Sequence, residues 1–268
     1  MGVLGKSGAS DAVRAQRGTG NLPHPPRAAS EGAIPAHRKP AMSPLPKIAV
    51  FDLDGTLAET AGDLIGTLNV LLVREGLPEL PLEQARDLIG AGAKALIRRG
   101  FEAAGKALTP ERHEALFADF LEHYGAHLCD RSHLYPGVVE ALDRLEAEGF
   151  RLAVCTNKVE LHAVDLLDKL AIGGRFAAIC GRATFPYSKP DPRHITLTIA
   201  EAGGDPQRAV MVGDSRADID AAKAAGIPVV AVTFGYTDTP VDRLGPDRVI
   251  GHFSELADAV AELVPPRA

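Results

Sequence analysis

The 268-residue sequence predicts an α/β protein: an open parallel sheet with helices on both faces, plus a small all-helical cap domain inserted after the first strand. Three observations carry this. Short runs that are apolar at nearly every position alternate with helical segments from Lys47 onward, and such strands are covered on both faces. Alternation of β and α units favours parallel strands joined by helical crossovers, a Rossmann-like arrangement. One interval, residues 60–133, breaks the alternation and holds helical periodicity alone.

Taken in order, the first strand is KIAVFD (47–52). The helical interval follows, with segments AGDLIGTLNVLLVREG, PLEQARDLIGAGAKALIRRGFEAAG and PERHEALFADFLEHYGAHL. An insert of this length, placed directly after a strand, reads as a separate small domain lying over the end of the sheet as a lid. The alternation then resumes: helix VVEALDRLEAEG, strand RLAVCT (151–156), helix ELHAVDLLDKLA, strand FAAIC (176–180) and helix PRHITLTIAEAG. Strand AVMVGD (209–214), helix DIDAAKAAG, strands VVAVTF (229–234) and RVI (248–250), and helix SELADAVAELV complete it. The expected domains are a catalytic core, 47–59 with 134–268, and a cap, 60–133. Residues 1–46 are rich in Gly, Pro, Ser, Ala and basic residues, with almost no apolar periodicity, and read as a disordered extension. An upstream start codon ahead of Met42, a tag remnant and an Arg-rich targeting peptide all account for it. IPAHRKPAM has no amphipathic pattern, which weakens targeting and leaves the start site favoured.

The chain is 46% apolar, enough for a sizeable core. Its net charge of −6 gives no support for binding nucleic acid or an anionic membrane. No apolar run approaches the roughly 18 residues of a membrane span, and there is no N-terminal apolar signal segment, so a cytoplasmic protein is expected. Cys129, Cys155 and Cys180 form no zinc pattern, and the last two lie in apolar runs as buried thiols of a reducing compartment. The oligomeric state is not legible.

In open parallel sheets ligands bind outside the carboxyl ends of the strands. Three strand ends here carry unusual polar residues: Asp52-Leu-Asp54-Gly-Thr56, Thr156-Asn157, and Gly213-Asp214 followed by Asp218. A fourth element, Ser188-Lys189-Pro190, precedes a helix. Each alone has a plain reading as a turn, a helix cap or a solvated loop. Together, at the same edge of one sheet, they define a cleft.

The residue types suggest the chemistry. Strand alternation would point Asp52 and Asp54 to one side, where their like charges call for a cation. With Asp214 they offer oxygen ligands suited to Mg²⁺. Asp52 could then attack phosphorus as a nucleophile, while Asp54 protonates the leaving oxygen and later deprotonates water. Thr156 supplies a hydroxyl and Asn157 an amide or main-chain N–H for phosphate oxygens. Lys189 supplies a point charge for phosphate. Asp218 either supports the metal site or is a helix N-terminal acid.

These motifs resemble those of the haloacid dehalogenase-like hydrolase superfamily, from about Lys47 to the C-terminus. The insert between the first two motifs matches the C1-capped subgroup. DLDGTLAETAGDLIGTLN, LIGAGAKALI, LYPGVVEAL, CTNK, SKPDP and MVGDSRADIDAAKAAGIPVVAVTFGYTD look like stretches of phosphoglycolate phosphatases. The resemblance implies Asp52 as nucleophile, Asp54 as acid and base, and Mg²⁺ held by Asp52, the main-chain carbonyl of Asp54, and Asp214. It implies a small anionic phosphate ester, foremost 2-phosphoglycolate, as substrate. One departure stands out: Glu59-Thr60 replaces the usual Asp-Ser, touching no residue assigned to chemistry but bearing on the hinge or lid edge.

Rival readings are a phosphatase of another small ester, a sugar-phosphate mutase, a dehalogenase, and a non-catalytic binding protein on the same fold. Asp54 argues against halide release, which needs no leaving-group proton. A mutase needs a proton-handling group from the lid, and His113, His123 and His127 have spacings that suit helix faces instead. In IGAGAKALI (89–97) the glycines mark either a helix start where backbone approaches a ligand or a kink inside the cap. Arg98 and Arg99 read first as surface charges and second as partners for a substrate carboxylate.

Overall fold

In a computed structural model of the chain, residues 45–264 are described. The N-terminal extension, Leu45 and Pro46 apart, lies outside them. In chain order the described residues form β1 (Lys47–Phe51), β2 (Ala58–Glu59), α1 (Ala61–Arg74), α2 (Leu82–Ala85), α3 (Ala93–Ala103), α4 (Pro110–Ala126) and β3 (His133–Leu134). There follow α5 (Val138–Ala147), β4 (Phe150–Val159), α6 (Glu160–Lys169), β5 (Phe176–Arg182), α7 (Pro192–Glu201), β6 (Ala209–Gly213) and α8 (Arg216–Ala225). β7 (Val229–Val232), β8 (Arg248–Ile250) and α9 (Leu256–Leu263) complete the set.

All six expected strands are present and pair in parallel, in the order β5-β4-β1-β6-β7-β8. Side chains alternate across the sheet, and both faces are covered. Ala49, Phe51, Leu152, Val154, Val210 and Val212 join one buried apolar cluster; Ile48, Val50, Ala153, Cys155 and Met211 join the other. The strand order reverses at β1, with β4 on one side and β6 on the other. The carboxyl ends of β1, β4 and β6 therefore meet at the switch point where such sheets bind ligands.

The helical interval holds α1 to α4, whose apolar faces (Leu68, Leu96, Phe101, Phe120) belong to the first cluster. Two features differ from the sequence expectation. The second helical segment is broken: a single turn, α2, runs into a 3₁₀ turn, and α3 starts only at Ala93 after Gly90 and Gly92. Those glycines have φ of 106° and 83°, so they form a helix start and not a kink. The second feature is an antiparallel ribbon of β2 and β3, where the two chain crossings into and out of the insert pair with each other. Two-residue strands carry no periodicity from which to expect them.

Candidate active site

Asp52 and Asp54 lie just past the end of β1, so strand alternation does not govern them. The Leu53–Ala58 turn does: Leu57 and Ala58 N–H both donate to the Leu53 carbonyl. Asp52 Oδ1 accepts the N–H of Leu53 at 2.7 Å and the Lys189 ammonium at 3.0 Å. Asp54 takes other partners: its carboxylate receives Lys158 Nζ at 2.9 and 3.2 Å and the Thr60 hydroxyl at 2.8 Å. Both still line one cavity. Gly55 makes the turn, with φ of 85°, and a Cβ there would stand 2.4 Å from an Asp214 carboxylate oxygen.

Asp214, one residue past β6, accepts the Thr56 hydroxyl at 2.8 Å and the Tyr236 N–H at 2.6 Å. Asp218, in the first turn of α8, accepts the N–H and hydroxyl of Ser215 on one oxygen and Lys189 Nζ at 2.6 Å on the other. Both readings of Asp218 therefore hold: it caps its helix, and its carboxylate reaches the site. Oxygens of Asp52, Asp214 and Asp218 lie within 4.8 Å of one another.

All three acids are buried, and among the described residues the only ammonium paired with them is Lys189. Burial, before all else, pushes Asp52 up to about 6; Lys189 pulls it back, while Asp218 and Asp54 add to the rise. Burial and the charges of Asp218 and Asp52 push Asp214 well above the ordinary carboxylate range. Burial opposes the charge on Lys189, but Asp218 and Asp52 outweigh it and hold its pKa above that of a free lysine. Three acids against one ammonium leave excess negative charge in a dry, oxygen-only cluster. Asp52 Oδ2 accepts no hydrogen bond among the described residues. That donor set fits a hard divalent cation.

The end of β4 is irregular. Its register with β5 shifts between Cys155 and Val159, so the residues between leave the ladder. Thr156 is buried, and its hydroxyl accepts the N–H of Lys158 at 3.2 Å. The Asn157 side-chain amide is committed to the Lys189 carbonyl at 3.0 Å, so it holds the lysine loop in place.

Residues 49–232, more than half of the chain, match the family model described as haloacid dehalogenase-like hydrolase. The chain belongs to that family. It is 48% identical to a phosphoglycolate phosphatase of Mesorhizobium japonicum, across 80% of this chain and 95% of the relative. It is 47% identical to one of Caulobacter vibrioides, across 80% and 90%. A crystal structure of a predicted phosphoglycolate phosphatase from Haemophilus somnus superposes with a TM-score of 0.74 at 34% identity, covering 79% of this chain and 96% of that one. CbbY from Rhodobacter sphaeroides, in complex with phosphate, gives 0.67 at 27% identity, covering 79% and 96%.

Within this family frame, the expected site residues Asp52, Asp54, Thr156, Asn157, Lys189 and Asp214 all gather at one edge of the sheet. The cap histidines do not join them: His113 contacts the Lys94 carbonyl, His123 stacks on His127, and His127 pairs with Asp130. Arg98 pairs with Glu102 on the surface, and Arg99 lies nearest the Leu88 carbonyl. Cys155 and Cys180 are buried free thiols, as expected.

The sequence reading gave no role to Lys158, Tyr124 or Tyr236, and it named Thr56 only as the last residue of the first motif. Lys158 follows Thr156-Asn157 directly, and a lysine continuing that polar run at the end of an apolar strand was the signal available. The Glu59-Thr60 departure does reach a residue that the sequence assigned to chemistry, contrary to expectation, because the Thr60 hydroxyl bonds Asp54.

Proposed function

We propose that the protein is a Mg²⁺-dependent phosphomonoesterase that hydrolyses 2-phosphoglycolate through an aspartyl-phosphate on Asp52. The observation that carries this is the placement of Asp52 between two differently charged surroundings. On one side stand Lys189, Asp214 and Asp218; on the other, across the same cavity, stands Asp54. Asp52, Asp214 and the main-chain carbonyl of Asp54 would hold Mg²⁺. Bound there, it would supply positive charge to offset the carboxylates and polarise phosphoryl oxygens.

The chain's own residues do the rest. The Thr156 hydroxyl, the Asn157 main-chain N–H and Lys189 bind the phosphoryl oxygens. An Asp52 oxygen attacks phosphorus, the phosphorus–oxygen bond to the leaving group breaks, and Asp54 delivers a proton to the departing oxygen. Water then attacks the acyl phosphate, Asp54 takes its proton, and phosphate leaves. The cap, residues 60–133, closes over the core, residues 47–59 and 134–268, with the β2–β3 ribbon as its hinge.

From the cap, the side chains lining the cavity are apolar apart from Tyr124: Leu64, Ile89, Leu96, Phe117, Phe120 and Leu121. Such a roof offers little to the hydroxyls of a sugar. It also presents no cap histidine or carboxylate to serve as a mutase's extra acid. Both points favour a hydrolase of a small ester. Bacterial relatives named phosphoglycolate phosphatase support the substrate, and buried free thiols support a cytoplasmic setting.

A panel of phosphate esters with Mg²⁺ tests the reading. We expect kcat/KM to be highest for 2-phosphoglycolate over hexose phosphates and nucleotides. We expect Asp52→Asn to lower it by at least about 1000-fold with an unchanged melting profile. Retained turnover in a folded Asp52→Asn enzyme rules out this nucleophile.

A further inference from the structure

The phosphoryl chemistry uses Lys189 but leaves a second buried cation in the same cavity. The Lys158 side chain is 4% exposed. Its Nζ bonds both carboxylate oxygens of Asp54, at 2.9 and 3.2 Å, and the Tyr124 hydroxyl at 2.7 Å, and sits 4.5 Å from the Tyr124 ring centroid. The ion pair with Asp54 and the hydrogen bond to the Tyr124 phenol hold Lys158 as a buried ammonium. The cavity that Lys158 lines is also lined by Leu64, Leu96, Phe120 and Val159. A charge is kept in an apolar wall at a cost unless a partner offsets it.

Geometry defines which partner a substrate could bring. Asp54 must stand within hydrogen-bond reach of the ester oxygen it protonates, about 2.6–3.2 Å. Lys158 Nζ is itself bonded to that carboxylate. In a 2-phospho-acid the carboxylate carbon is two bonds from the ester oxygen, which places its oxygens about 3 Å from that atom. With phosphorus at Asp52 and the ester oxygen at Asp54, the substrate carboxylate falls beside Lys158. An ester with the same chain length and no carboxylate would leave that ammonium facing a methyl group.

We propose that Lys158 is the specificity-determining residue of this enzyme: its ammonium pairs with the carboxylate of short 2-phospho-acids and so selects them over phosphate esters of uncharged alcohols. The inference rests on the phosphatase reading above. Arg182 is the competing cation. It lines the same cavity, and one guanidinium nitrogen lies 3.5 Å from where a Cβ on Gly92 would stand. It has no tie to Asp54 and so no fixed relation to the ester oxygen.

The test uses the full chain with Mg²⁺ and two substrates, 2-phosphoglycolate and ethyl phosphate. The readout is the ratio of their kcat/KM values. Lys158→Gln keeps an amide donor for Asp54 and Tyr124 but removes the charge. Any loss from a displaced Asp54 is shared by both substrates and cancels in the ratio. We expect the wild-type ratio to fall about 100-fold or more in Lys158→Gln, because the carboxylate then meets no cation. Lys158→Met gives the same reading if the glutamine variant does not fold. Lys158→Arg, which keeps the charge, should hold the ratio within about 10-fold of wild type.

A ratio that stays within about 3-fold of wild type in both neutral variants overturns the proposal and leaves Lys158 as a support for Asp54. So does a collapse of the ratio in Arg182→Met with Lys158→Gln unaffected. If the neutral variants fail to fold, loss of the ratio in a folded Lys158→Arg overturns it. A wild-type enzyme that hydrolyses ethyl phosphate as well as 2-phosphoglycolate sinks the substrate reading itself, and that failure is visible before any variant is made.

Discussion

His194 on α7 is fully buried, and neither ring nitrogen has a well-formed hydrogen-bond partner. Burial, with the charge of Lys189 behind it, pushes its pKa down to about 4. In the unfolded chain the ring titrates near 6.5. The folded state thus refuses a proton that the unfolded state accepts. The resulting stability is present above pH 6.5 and is lost as the pH falls toward 4, by up to about 3 kcal/mol. His194→Leu should flatten the melting temperature between pH 6.5 and 4 relative to wild type. Identical acid slopes in the two proteins would assign the loss to other groups. At this scale the sequence was readable where a charged residue ended an apolar strand, as at Asp52, Asp54 and Asp214. It was silent on His194, whose character comes from burial, and it marked Lys158 only as a lysine next to Thr156-Asn157, because its partners Asp54 and Tyr124 lie far away in the chain.

The elements that join cap to core converge on one phenol. Tyr236, in the loop after β7, accepts the N–H groups of Thr60 and Ala61 at 2.6 and 2.9 Å and donates to Glu59 at 2.5 Å. Those two N–H groups open α1, where the helix itself supplies no acceptor. Arg86 from beyond α2 pairs with the other Glu59 oxygen at 2.7 Å and lies over the Tyr236 ring. The Tyr236 N–H holds Asp214, so the start of α1 and the site share a support. Tyr236→Phe removes the hydroxyl and leaves the buried Thr60 N–H without its acceptor, while the Ala61 N–H and Glu59 Oε1 keep only each other, at 3.0 Å. We expect a loss of about 2 kcal/mol, seen as a melting temperature lower by about 4–8 °C. An unchanged melting temperature would mean that water or a shifted Glu59 replaces the phenol. Nothing in the local sequence announced this cluster. Glu59 and Tyr236 are 177 positions apart, and the β2–β3 ribbon is too short to show a period.

Across the whole molecule, the sheet was legible because its strands are apolar at nearly every position, and parallel order followed from the alternation with helices. The cap was legible as a break in that alternation. The internal course of its middle segment was not, since Gly90 and Gly92 admit both a kink and a helix start. What the topology achieves is the gathering of three acids, from two strand ends and a helix, into one buried cluster. With Lys189 as the sole paired ammonium among the described residues, that cluster works against folding until a cation enters it. A cation that binds only the folded state stabilises it by about 2.7 kcal/mol at one hundred times its dissociation constant. For a chain of this size, Mg²⁺ at that excess should raise the melting temperature of the chelated protein by about 5–10 °C. Asp214→Asn should abolish most of that rise. In chelator the same variant should melt at or above wild type, because one like charge has left a dry site while the Thr56 and Tyr236 contacts can persist. A Mg²⁺ shift of full size in Asp214→Asn, or a variant that melts well below wild type in chelator, would show that this acid serves the fold and not a cation.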